Sequence, residues 1–144
     1  MDALRDYEIE LIRRMIDRPN PEEEWLAVDD LIKLKPYLEE IDTSKFLNYE
    51  YTVVGYFVTV SHPKIPNERL VLSAPRISYE IDGNDIGFVL FFEDGELMID
   101  CHALSEHDCP INSRDRGITI RDERDFNNRA EQNGVDQAAT HPQL

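Results

Sequence analysis

The sequence predicts an α+β domain, with N-terminal helices packed on one antiparallel sheet of about four or five strands and a disordered C-terminal tail. Three observations predict it. From Leu4 to Leu34 apolar residues recur at helical spacing. From Phe46 to Ala103 β-branched and aromatic residues take over, in short runs that alternate with polar ones. Within that half, Asp94-Gly95 divides two apolar runs, the pattern of a tight hairpin, because a primed two-residue turn needs positive φ at both central positions.

The first helix is expected over 2–17. Leu4, Tyr7, Leu11, Ile12 and Met15 form its apolar stripe, Asp2 and Asp6 lie near the positive end of its dipole, and Arg13, Arg14 and Arg18 near the negative end. Pro19 stops it. Asn20-Pro21-Glu22-Glu23-Glu24 then starts a second helix: Asn20 caps, Pro21 fits the first helical position and the acids suit the first turn. This helix is expected to reach about Leu34, with Trp25, Val28, Leu31, Ile32 and also Leu34 inward, and to end or kink at Pro36, with Tyr37–Ile41 a further short turn.

Phe46–Ser61 reads as one central strand with apolar residues on both faces, Gly55 marking a bulge or a close backbone approach. His62-Pro63-Lys64-Ile65-Pro66-Asn67 is a loop, and His62 within it is expected to be solvated. Glu68–Ser73 offers a strand with Leu70 and Leu72 on one face. Arg76–Asp82 offers another, with Ile77, Tyr79 and Ile81 inward. Asp82-Gly83-Asn84-Asp85 turns the chain into the Asp94-Gly95 hairpin. Taking Asp94 and Gly95 as the loop pairs Glu93 with Glu96, Phe92 with Leu97, Phe91 with Met98, Leu90 with Ile99 and Phe88 with Cys101. Alternation then commits Phe88, Leu90, Phe92, Leu97, Ile99 and Cys101 to the core. Val89, Phe91, Glu93, Glu96, Met98, Asp100 and His102 share the other face. Gly117-Ile118-Thr119-Ile120 is a candidate edge strand. The domain is expected to span 1–120, with 121–144 a polar, disordered tail.

Of 144 residues, 30 are acidic and 15 basic, for a net charge of −15. Residues 1–112 hold 24 acids and 10 bases, net −14, so the acidity belongs to the folded part. Such a surface repels nucleic acid and suits a basic protein partner. No apolar run approaches the ~20 residues of a membrane helix, and the N-terminus lacks a secretion-signal pattern. A cytoplasmic protein that binds neither membrane nor nucleic acid is expected. Two cysteines in such a chain make no disulfide framework.

Chemistry has few candidates. Cys101-His102 and His107-x-Cys109 supply zinc-type ligands, but adjacent strand residues point to opposite faces, so the expectation is a buried Cys101 and surface histidines, with no metal or cofactor. Asp82-Gly83-Asn84-Asp85 with Glu93 faintly matches a calcium loop, yet Phe88–Phe92 fill its second half with a core strand. A thiol or metal enzyme using Cys101, His102, His107 and Cys109 remains the alternative; the nucleophile-elbow, P-loop, Rossmann and zincin motifs are absent.

Two segments carry a resemblance. Tyr49-Glu50-Tyr51-Thr52-Val53-Val54-Gly55-Tyr56-Phe57 resembles the "REYTGVGFF" strand of a loosely defined group of small bacterial proteins. Ile77–Gly83 with Gly87–Leu97 resembles the same group's "I-x-G…GFLLF-x-x-DGYL" hairpin. The group's glycine after the threonine is Val53 here, and its "LEGYTYGE" ending is replaced by Ile99-Asp100-Cys101-His102-Ala103-Leu104-Ser105-Glu106. The matched positions are glycines and core residues, so the resemblance implies a fold and transfers no active site. Small acidic α+β proteins of this look are often toxin-neutralising immunity proteins.

The functional expectation is therefore a binding protein and not an enzyme, an immunity protein occluding a basic toxin domain. Phe91, Glu93, Glu96, Met98 and Asp100 are its expected contact residues. A soluble interaction domain without a charge-selected partner is the bland alternative, and the same apolar face would serve a homodimer.

Overall fold

Two Asp-Gly turns fix the centre of the sheet. Asp82-Gly83 and Asp94-Gly95 both have positive φ at both residues (52° and 84°, 52° and 77°), as primed two-residue turns require. The computed structural model describes residues 2–17, 28–73, 76–104, 107–116 and 118–122. The second turn joins β5 (Asn84–Glu93) to β6 (Glu96–Ala103), in the register read from the sequence: Glu93 opposite Glu96, Phe92 opposite Leu97, Phe91 opposite Met98, Leu90 opposite Ile99 and Phe88 opposite Cys101. The first joins β4 (Ile77–Ile81) to β5.

The sheet is antiparallel and has seven strands, more than the four or five expected. The main reason lies in 45–61, which is not one central strand but a hairpin of β1 (Lys45–Tyr51) and β2 (Gly55–Ser61). The other strands are β3 (Leu70–Leu72) and β7 (Arg121–Asp122). The order is β1-β2-β6-β5-β4-β7, and β3 pairs with the far half of β5, beside Leu90–Phe92, while β4 pairs with the near half. The closing edge strand falls at Arg121–Asp122 rather than at 117–120. Of the tail expected over 121–144, Arg121–Asp122 belong to the sheet, and 123–144 lie outside the described residues.

The turn between β1 and β2 holds Val53 at φ 71°, a region that costs an L-residue roughly 1–2 kcal/mol. Because the residue with positive φ is a β-branched valine and not a glycine, alternation alone hides the turn. The backbone around it is firmly bonded: Thr52 N–H to Gly55 O at 2.9 Å, Ala103 N–H to Val54 O at 2.7 Å and Cys109 N–H to Val53 O at 2.8 Å. Gly55 is a close approach, since a Cβ there would stand 1.7 Å from the carbonyl oxygen of Cys101.

Before the sheet come α1 (Asp6–Ile16) and α2 (Val28–Leu38). α1 begins after Arg5, whose backbone N–H donates to Glu8 Oε1 at 2.8 Å, the return half of a capping box. Asn20-Pro21, Trp25 and the rest of the expected start of the second helix lie outside the described residues. α2 does not end at Pro36 but continues to Leu38. Tyr37, fully buried, explains this: its hydroxyl lies 2.7 Å from Ser44 Oγ, and its burial offsets the bond that proline removes. Ile32, expected inward, is 53% exposed, because Leu31 and Leu34 take the inner positions.

One core cluster joins Leu11, Ile12, Met15 and Ile16 of α1 with Leu31, Leu34 and Tyr37 of α2 and the inner face of the sheet. On that face Tyr56, Val58, Val60, Phe88, Leu90, Phe92, Leu97, Ile99 and Cys101 are buried. Each large apolar side chain there contributes about 1.5–3 kcal/mol of burial, set against the conformational entropy lost on ordering it. No described helix is long and apolar enough to cross a membrane.

Candidate protein-binding face

The other face of the sheet is built by the same alternation. Phe57, Val89, Phe91 and Met98 are partly exposed, and they belong neither to the core nor to the partly buried residues packed on it. Cross-strand register puts them in adjacent rows. One row runs Asn48, Thr59, Met98, Phe91, Val71, and the next Glu50, Phe57, Asp100, Val89. A third runs Lys45, Ser61, Glu96, Glu93 beside the Asp94-Gly95 turn, with Lys45 two strands away from Glu96. Thr59, Phe91, Glu93, Asp94, Glu96 and Met98 together line a shallow hollow of about 300 Å³.

All five residues expected as a contact set therefore lie on one face, and four of them line one hollow; Asp100 sits one row away. Sequence reading missed Phe57 and Thr59, since treating 46–61 as one strand left their face undecided. It also omitted Asp94 at the tip. The signal that finds them is Thr52-Val53-Val54-Gly55 read as a turn, which puts Phe57 and Thr59 on the face of Met98.

The electrostatics of this face are uneven. No ion pair among the described residues involves Glu50, Glu93, Asp94 or Glu96. Glu93 and Glu96 face each other directly, an arrangement that destabilises a strand pair. Further along, His102 Nδ1 lies 3.5 Å from Asp100 Oδ1, and the carboxylate beside it raises the imidazole pKa above its ordinary value. At the β7 edge Arg121 balances Asp85 at 2.6 Å. Negative charge is thus uncompensated at the hairpin tip and at Glu50.

The helical side holds what the sequence hid most completely. Glu8 is fully buried and Arg114 nearly so; Arg114 Nε and Nη2 donate to Glu8 Oε2 and Oε1 at 3.0 and 2.9 Å. Arg114 also donates to Asp2 Oδ2 at 2.7 Å and to Ala3 O at 2.8 Å, and its guanidinium stands over the rings of Phe46 and Tyr49. A register shift between Phe46 and Asn48 keeps both rings on the core side. These bonds tie the N-terminus and the short 3₁₀ turn Ser113–Asp115 to the sheet. Beside Arg114 a hollow of about 380 Å³ is lined by Arg5, Asp6, Tyr7, Asp115 and Ile118.

His62 is not solvated but 7% exposed. Its Nδ1 accepts from Lys64 N–H at 3.0 Å, so Nε2 is the donor to Thr43 Oγ1 at 2.8 Å, a structural role. Cys101 is buried on the core side, as expected, and His102 lies on the opposite face, away from it. His107 is exposed. Cys109 is fully buried beside Cys101, and its Sγ donates to Ser113 Oγ at 3.1 Å. The two thiols thus meet each other and not the histidines. Among the described residues no group of three or more His, Cys, Asp or Glu is arranged to hold a metal ion.

Comparison of the chain with protein-family models, with curated proteins and with solved structures finds no match.

Proposed function

We propose that the chain is a protein-binding module whose outer sheet face docks a basic protein, in the manner of an immunity protein that occludes the cationic cleft of a toxin domain. One observation carries the reading. Phe91 and Met98 stand side by side on a face outside the core, and Glu93, Asp94 and Glu96 beside them make no ion pair among the described residues. Part-exposed aromatic and sulfur side chains suit the centre of an interface, where anchors fill pockets and exclude water. Unpaired carboxylates at its rim steer a basic partner and set the on-rate. The facing Glu93–Glu96 pair is a stability cost that a lysine or arginine from a partner would reverse. Net charge of −14 over residues 1–112 favours the same class of partner.

The test uses the purified basic proteins encoded by genes adjoining its own. One of them is expected to bind, with an association rate that falls about tenfold or more between low and high salt. Phe91→Ser is expected to accelerate dissociation, and Glu93→Lys with Glu96→Lys to slow association. Binding that is indifferent to salt and to all three substitutions, or no binding by any adjoining basic protein, overturns the reading.

A further inference from the structure

The chain has two cysteines, and the fold brings both into one buried cluster. Cys101 lies on the core side of β6, opposite Tyr56 and Phe88. Cys109 returns to it from the loop that follows β6. Around the two sulfurs stand hydroxyls: Ser113 Oγ is 3.1 Å from Cys109 Sγ, and Tyr79 Oη is 4.0 Å from Cys101 Sγ. A buried pair of apolar side chains would pack this space equally well, and a thiol pair in mutual contact has chemistry that such residues lack.

We propose that Cys101 and Cys109 form a dithiol that closes to an intramolecular disulfide under an oxidant of the peroxide class, tying the loop after β6 to the core strand. Cys109 is the attacking group. Cys101 beside it, helped by Ser113, lowers its pKa to about 6, whereas burial pushes the Cys101 thiol up. The Cys109 thiolate attacks the peroxide: an S–O bond forms, the O–O bond breaks, and hydroxide leaves as water with the proton released from the thiol. Cys101 sulfur then attacks Cys109 sulfur. The S–S bond forms, the S–O bond breaks, and a second water carries away the Cys101 proton. Two thiols are oxidised, one peroxide is reduced, and two waters result.

Access runs through the loop. Cys109 is anchored there by its own N–H to Val53 O at 2.8 Å, by its carbonyl accepting from the Tyr51 hydroxyl, and by Ser113. Breaking those few bonds uncovers Cys109 while Cys101 stays in the sheet. Closure would fix the loop against β6, together with the β1–β2 turn that it holds.

The experiment treats the full chain with hydrogen peroxide, denatures it, alkylates with N-ethylmaleimide and measures intact mass and linked peptides. The expected product is monomeric, lighter by two hydrogens, unalkylated, and linked between the peptides of Cys101 and Cys109. Its melting temperature rises by several degrees and returns on reduction with dithiothreitol. Cys101→Ser is expected to accumulate a sulfenic acid at Cys109 that dimedone traps. Where that variant does not fold, the wild-type product alone decides. Two alkylated thiols after peroxide, a disulfide between chains, or sulfinic acid at Cys109 in the wild-type chain overturns the proposal.

Discussion

Replacing Arg114 by methionine removes the only cation among the described residues that meets the buried carboxylate of Glu8. Methionine fills much of the space but leaves Glu8, at 0% exposure, with the Arg5 N–H at 2.8 Å and the Tyr56 hydroxyl at 3.3 Å as its remaining donors. Two charge-assisted bonds to Glu8, one to Asp2 and one to Ala3 O are lost, with the contact over Phe46 and Tyr49. Asp2 is well enough exposed for water to replace its bond, so Glu8 sets the magnitude. Breaking a buried pair from one side costs about 3–5 kcal/mol. In a chain of this size that lowers the melting temperature by roughly 10–15 °C. Removing both charges, as in Glu8→Leu with Arg114→Met, leaves neither member of the pair buried without its partner, and the double variant is expected to recover about 2 kcal/mol over the single one. Urea titrations of wild type, both single variants and the double variant, at one ionic strength, measure the cycle. An Arg114→Met protein within about 1 kcal/mol of wild type, or a double variant no more stable than the single, refutes this account of the pair.

Val53→Gly and Val54→Gly remove equally large, half-exposed side chains from adjacent turn positions, but only the first relieves a positive φ. Val53→Gly is therefore expected to be the more stable by about 1–2 kcal/mol in denaturant titration; equal stability contradicts the strain argument. Glu93→Lys converts a facing like-charge pair into an opposite one and is expected to stabilise the isolated chain by about 0.2–1 kcal/mol, an effect that salt diminishes. His102, raised by Asp100, should titrate by NMR with a midpoint above 6.5. The stability gained from that contact is complete below the unfolded value and is lost as pH rises through the folded midpoint. Asp100→Asn is expected to bring the midpoint down, and an unchanged midpoint would show that Asp100 is not its cause.

The central hairpin was legible because every level of the sequence agrees there: Asp94-Gly95 demands one turn, and the runs on each side alternate in one register. The Leu70 and Ile77 strands followed for the same reason. The β1–β2 hairpin was hidden because its turn residue is a valine, so β-propensity runs unbroken from Tyr49 to Val60. Pro36 left the end of α2 open between a stop, a kink and a further turn at Tyr37–Ile41, since the burial of Tyr37, which carries the helix on to Leu38, is a tertiary fact that local rules do not contain. Glu8 and Arg114, 106 residues apart, carry no local signal that they pair. Their pairing depends on how the loop after β6 returns to α1, which no local pattern encodes. The contact residues proposed for the outer face were legible as a set because they lie on one hairpin. Phe57 and Thr59, which complete their rows, came from the strand that was misread.

The most direct test of the docking face is a chemical-shift titration of the isotope-labelled full chain with the adjoining basic protein that binds it. The largest perturbations are expected at Phe91, Glu93, Glu96, Met98 and Asp100, with smaller ones at Phe57 and Thr59, and none along α1. A footprint centred on α1, or on the outer edge of β1, with the hairpin face unmoved would contradict the account.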